Sequence, residues 1–329
     1  MTIAVFITVD TEEDNWGDYR KRGQRAENIR QIPLVQELFD RYGAIPTYLV
    51  NQAVAEDQGA VKILKNILNK GRCEIGAHCH PWNTPPFSEG NPDVCSMLSA
   101  LKPETVKAKI ESLHNSISTA FGFSPKCFRA GRWAFGPHVA RAILDLGYEV
   151  DTSVTPFIDW VSDGGPDFST APTDAYAFDP ENVMAPKDKG PLLEVPATIG
   201  FLQRPFHLCA SVHKRIAGSF LSRFHILGAL DKARLLNLRW LSPEMSSGQE
   251  MVRLCKTLIH RGCNFLNLTF HSTSLLPGKS PFVTSEAELR SFLDDIETFL
   301  AFTSSHEMRF SGLSEGAETL LRPQLRMPC

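Results

Sequence analysis

The first half of the chain alternates short apolar runs with amphipathic segments, and this alternation constrains its folding more than any other feature. "IAVFITV" (residues 3–9), "IPTYLV" (45–50), "CEIGAH" (73–78), "KCFRAG" (126–131) and "YEVDTSV" (148–154) read as strands. Between them, helical spacing runs over residues 27–42, 60–71, 103–121 and 136–147, with Gly43, Gly71 and Gly122 as stop signals. Such repetition predicts parallel strands joined by helical crossovers, in an open sheet or a barrel. The polar residues agree. Asp10, His78 with His80, Arg129 and Asp151 each fall at the C-terminal end of a strand, the edge where catalytic groups gather in both architectures.

The second half is less regular. Residues 157–190 are rich in Pro, Gly, Asp and Ala and read as a long loop excursion; "LLEVPAT" (192–198) returns as a strand. Residues 211–240 read as a basic helical insertion carrying Lys214, Arg215, Arg223, Lys232, Arg234 and Arg239. "NFLNLTFHS" is a strong strand containing His271, followed by a helix over 286–302, a last strand from 308 and a short helix over 316–321. We expect one catalytic domain over residues 1–329 that contains both irregular segments.

Composition narrows the function. With 43% hydrophobic residues and a net charge of −3, the 329-residue chain is an ordinary globular one, without the basic excess that nucleic-acid binding demands. No run approaches the ~18 apolar residues of a membrane span. Met1 leads straight into the first strand with no secretory leader, so a cytoplasmic location is expected. The eight cysteines are scattered without a C-x-x-C pair and read as reduced, mostly buried groups, Cys79 among them.

In "EIGAHCHPW", strand alternation turns His78 and His80 to one face and Cys79 to the other. In "TVDTEED", extension puts Asp10, Glu12 and Asp14 on one face, where their repulsion calls for a cation or an arginine. A wet loop and a solvated acidic turn are the bland alternatives. Two imidazoles, one carboxylate and a water position form the pattern of a hydrolytic zinc site. Glu12 suits the ligand role and Asp10 that of a base toward water. Arg129 closes an apolar strand and needs a carboxylate partner, for which Asp10 is the candidate. His271 closes another strand and is either a satisfied core histidine or a general acid.

Taken together, "TVDTEED", "EIGAHCHPW", "FRAGRW", "DTSVTP" and "LTFHSTSLLPG" resemble, in order and placement, the motifs of polysaccharide deacetylases, the NodB-homology group of carbohydrate esterases. The resemblance spans roughly residues 3–278. It implies an α/β fold, a distorted (β/α)7-type barrel, and removal of acyl groups from N-acylated sugars with zinc or a similar divalent metal. On it, Asp10 matches the base, Glu12 the metal carboxylate of D-x-D or D-x-E members, and His78 the first metal histidine. Arg129 matches the partner of the base and His271 the histidine of the last motif. Two positions depart from the commoner pattern. Thr11 replaces an adjacent aspartate, leaving Glu12 or Asp14 as the carboxylate. Trp82 stands where the second histidine is usual, leaving His80 as its substitute.

Trp16, Trp82 and Trp133 flank these segments and are either packing residues or the walls of a glycan cleft. Asp151 and Glu194 are expected to orient histidines behind the site. The leading expectation is deacetylation of an N-acetylated sugar or glycan precursor, nucleotide- or lipid-linked. The basic insertion is read as a solvated face or a contact to pyrophosphate or an anionic membrane surface. Hydrolysis of a cyclic amide or formamide, and glycan binding without turnover, are the competing readings. Oligomeric state is not legible.

Overall fold

The computed structural model describes residues 2–14, 16–19, 24–87, 95–219, 226–306 and 308–321; Arg223 and Cys329 lie outside them. Eight strands run parallel side by side: β1 (Ala4–Thr11), β2 (Thr47–Val50), β3 (Glu74–Cys79), β4 (Cys127–Ala130), β5 (Val150–Asp151), β8 (Leu192–Glu194), β11 (Phe265–His271) and the short β12 (Arg309–Phe310). Their order is β11-β1-β2-β3-β4-β5-β8, with β12 also on β1. The 157–190 segment is not only loop. It holds β6 (Tyr176–Asp179) and β7 (Asn182–Pro186), an antiparallel hairpin that extends the sheet beyond β8.

The sheet curls but its ladder does not close, since β11 and β7 remain end strands. Side chains cross the gap instead. Asn267 on β11 donates to Thr152 Oγ1 at 3.0 Å and to the Pro196 carbonyl at 3.2 Å, and its own N–H reaches Thr198 Oγ1 at 2.8 Å. Beside this gap, β9 (Ile199–Phe201) and β10 (Leu238–Trp240) form a separate antiparallel ribbon. The 211–240 stretch contributes the end of a helix over Phe206–Ala217, the helix Ile226–Lys232 and β10.

Period-two alternation builds the interior in layers. Phe6, Leu49, Cys127, Val150, Leu193 and Phe265 form an apolar floor, sealed from below by Leu313 and Ala317 of the helix Leu313–Leu321. Gly76 belongs to this level because a Cβ there would stand 2.5 Å from Cys127 Sγ and 2.6 Å from Leu49. One step up, Thr8, Arg129, Thr152 and Asn267 form a hydrogen-bonded polar layer, and above it stand Asp10 and His271, partners in register across β1 and β11. The opposite faces carry Val5, Ile7 and Val9 into the larger core against the outer helices, so parallel strands are buried on both sides. Among the described residues no helix is long and apolar enough to cross a membrane.

Candidate active site

Above the polar layer lies a cavity of about 300 Å³, walled by all five tryptophans of the chain: Trp16, Trp82, Trp133, Trp160 and Trp240. At its base, ligand atoms of Glu12, His78 and His80 lie within 4.8 Å of one another, all buried. Glu12 Oε2 stands 3.5 Å from His78 Nε2 and 3.2 Å from His80 Nε2. Although His80 follows the last residue of β3, its ring stays beside that of His78, with centroids 4.4 Å apart.

The groups behind each imidazole decide which nitrogen faces the cluster. His78 Nδ1 lies 3.2 Å from the Arg129 carbonyl oxygen, as a donor would, leaving Nε2 toward Glu12. His80 Nδ1 lies 3.1 Å from Glu13 Oε2. The Glu13 carboxylate also accepts from Trp82 Nε1 at 2.8 Å, from Asn83 Nδ2 at 2.9 Å and from Asn51 Nδ2. Burial disfavours the charged His80 ring, yet Glu13, followed by Glu12, raises its pKa to about 10. Burial likewise pushes Glu12 up, while His271, His78 and His80 outweigh it and hold the carboxyl below its ordinary range.

Asp10 sits beside the cluster, its Oδ2 3.9 Å from His78 Nε2. Its Oδ1 accepts from Arg129 Nη1 at 2.6 Å. Arg129 is 1% exposed and spends its other donors on Thr152 and Thr8, so its position is fully determined. Burial raises the Asp10 pKa, but Arg129 first and then His78 and His271 bring it below the usual value. His271 Nε2 approaches the same Asp10 Oδ2 to 3.5 Å. Its Nδ1 lies 2.8 Å from Glu244 Oε2, while Glu244 Oε1 accepts from the His271 backbone N–H at 3.1 Å. Burial opposes the His271 charge, yet Glu244, then Glu12, raise its pKa to about 9.

Several sequence expectations need correction. Extension ends at Thr11, so Glu13 enters the site and Asp14 leaves it. Asp14 instead accepts from the N–H groups of Glu27 and Asn28 at 3.1 and 3.0 Å and from Asn28 Nδ2 at 2.7 Å. Asp151 and Glu194 do not orient histidines. Asp151 accepts from the Ser153 N–H and hydroxyl, Glu194 accepts from the Val154 N–H, and burial raises the pKa of both acids, with Asp151 pushing Glu194 up further. The orienting groups are Glu13, Glu244 and the Arg129 carbonyl. Glu244 and Trp160 lie in irregular segments without a motif, and no local signal marks them; Trp240 ends a strand, a placement that would have flagged it.

The tryptophans have distinct contacts. Trp82 stacks on His80 with centroids 4.1 Å apart, Trp16 meets His271 edge-on at 4.5 Å, and the Arg129 guanidinium lies 4.8 Å over Trp133. Lys109, buried behind the 81–86 turn, donates to the carbonyls of Pro81, Thr84 and Pro86 at 2.6–2.8 Å and so fixes the segment after His80. Arg132 and Trp133 both adopt positive φ, 54° and 58°, at the cavity wall, where strain is characteristic of functional positions.

No protein-family model matches the sequence, and neither does any curated protein. Solved structures do. A candidate polysaccharide deacetylase from Mycobacterium smegmatis is 15% identical, with a TM-score of 0.53 over 97% of this chain and 90% of that one. The PuuE allantoinase is 13% identical, TM-score 0.54, over 96% and 89%. A candidate glycoside hydrolase/deacetylase from Parabacteroides distasonis is 10% identical, TM-score 0.57, over 96% and 70%. At these identities the likeness carries the fold: this chain is built on the scaffold shared by polysaccharide deacetylases and that allantoinase.

Proposed function

We propose that the protein is a metal-dependent amide hydrolase that deacetylates an N-acetylated sugar or short glycan. The observation that carries this reading is that two oppositely poised pairs, Asp10 with Arg129 and His271 with Glu244, stand beside the Glu12, His78 and His80 donors. Two imidazole nitrogens and a carboxylate oxygen, all buried and turned to one point, suit a divalent ion, zinc foremost. Such an ion supplies Lewis acidity toward an amide carbonyl and lowers the pKa of water. The chain's own groups handle the protons. Asp10, kept ionised by Arg129, accepts one from the attacking water. His271, kept charged by Glu244, delivers one to the departing amine. The tryptophan walls suit the apolar faces of sugar rings, and about 300 Å³ has room for a small glycan.

The test pairs metal analysis with acetate release from N-acetylated mono- and oligosaccharides. Asp10→Asn should retain the metal and lose turnover, whereas His78→Ala should lose both. Full activity in Asp10→Asn, or stoichiometric metal in His78→Ala, would sink the assignment. The same cavity volume also favours a second reading, hydrolysis of a small cyclic amide; ring opening of such amides without acetate release would select it.

A further inference from the structure

The basic residues are unevenly placed. Residues 201–261 hold ten Lys and Arg against three Asp and Glu, while the rest of the chain holds 24 against 34. The fold gathers many of these cations on one outer face. On the helix Gly248–His260, Met251, Leu254, Cys255 and Leu258 are buried. Arg253, Lys256 and His260, spaced three and four apart, therefore share the exposed side. Thr257 Oγ1 reaches the Leu202 carbonyl at 3.4 Å, and Arg204 lines a shallow cavity with Lys256 and His260. Gln203 Nε2 donates to the Arg234 carbonyl and to Asn237 Oδ1, which brings the exposed Lys232 and Arg234 to the same edge.

The acids of this stretch are already engaged. Arg239 takes Asp231 at 2.6 Å and Glu250 at 2.7 Å, and Glu244 holds His271. Among the described residues no carboxylate pairs with Arg204, Lys232, Arg234, Arg253 or Lys256. Two large leucines close to these cations in the chain are exposed, Leu208, four residues after Arg204, at 63% and Leu235, next to Arg234, at 65%. An ordinary solvated face interleaves its cations with acids and does not present large aliphatic groups. Nucleic-acid phosphates would meet the cations but leave the leucines in water.

We propose that this face docks the protein on a bilayer rich in anionic phospholipid, with the cations at the headgroup phosphates and Leu208 and Leu235 in the headgroup boundary. This surface is separate from the cavity, and the inference stands whether or not the amide-hydrolase reading does.

Co-sedimentation of the full chain with vesicles tests it. The protein should partition onto phosphatidylcholine vesicles containing phosphatidylglycerol, release as salt rises, and ignore pure phosphatidylcholine. Combining Arg204→Gln, Arg253→Gln and Lys256→Gln should weaken partition about a hundredfold, at roughly fivefold for each cation. Combining Leu208→Ser with Leu235→Ser should weaken it about tenfold while keeping the salt slope. Thermal melts matching the parent establish that the variants fold. Absence of partition onto anionic vesicles, partition unaffected by the triple charge change, or capture by heparin with none on vesicles would each overturn the proposal.

Discussion

Replacing Glu244 with Gln isolates what one buried carboxylate does for His271. The imidazole lies 2.8 Å from Glu244 and 3.5 Å from Asp10, and its pKa stands at about 9 although burial alone would depress it. A close charge-assisted bond of this kind contributes about 2–4 kcal/mol to the charged form. At ~1.4 kcal/mol per pH unit, its loss should move the titration down by about 1.5 to 3 units, to about 6–7.5. The glutamine keeps the shape and one acceptor, so the ring stays in place while the charge goes. Proton NMR of the His271 ring in metal-free protein reads the shift without any substrate. In turnover, the variant should lose about 4- to 90-fold at pH 8, where the parent imidazole is still mostly protonated, and recover as pH falls below about 6. A parent His271 titrating near its ordinary value, or one that does not move in Glu244→Gln, would refute the reasoning.

Glu13→Gln removes the acceptor behind His80 and should weaken divalent-metal affinity about 10–100-fold, measured by competition with a chelating dye. Lys109→Met leaves three buried carbonyls without their ammonium donor; it should cost about 3–5 kcal/mol in urea unfolding, and a loss below 1 kcal/mol would contradict the structure. Burial raises the Asp151 pKa from 3.8 to about 6. The folded state therefore holds a proton that the unfolded chain has released, and the stabilisation is complete below about pH 4 and lost as pH rises through about 6. Asp151→Asn should lessen that decline, while Glu194, raised chiefly by its own burial, keeps its share, as read from unfolding midpoints between pH 4 and pH 7.

Alternation is a local property, and what depends on it was readable along the chain. Strand geometry sets Phe6, Thr8 and Asp10 on one face and places His78, Arg129 and His271 at strand ends, whatever the rest of the chain does. The pairing of Asp10 with Arg129 was also legible, because an arginine closing an apolar strand must find a carboxylate. Where extension stops, that local rule stops with it. It could not say that Glu13 rather than Asp14 would turn inward, nor that the 157–190 segment would add a hairpin to the sheet. Contacts made by curvature were equally hidden. Glu244 meets a histidine 27 residues away and Glu13 one 67 residues away, because the rolled sheet brings their loops over the same rim. Likewise, whether Asp151 and Glu194 face the histidines or each other depends on how β5 and β8 are rotated about their axes. The sequence therefore determined which side chains point inward, and the tertiary structure alone decided which of them meet, since burial direction is set by neighbours in the chain and partnership by neighbours in space.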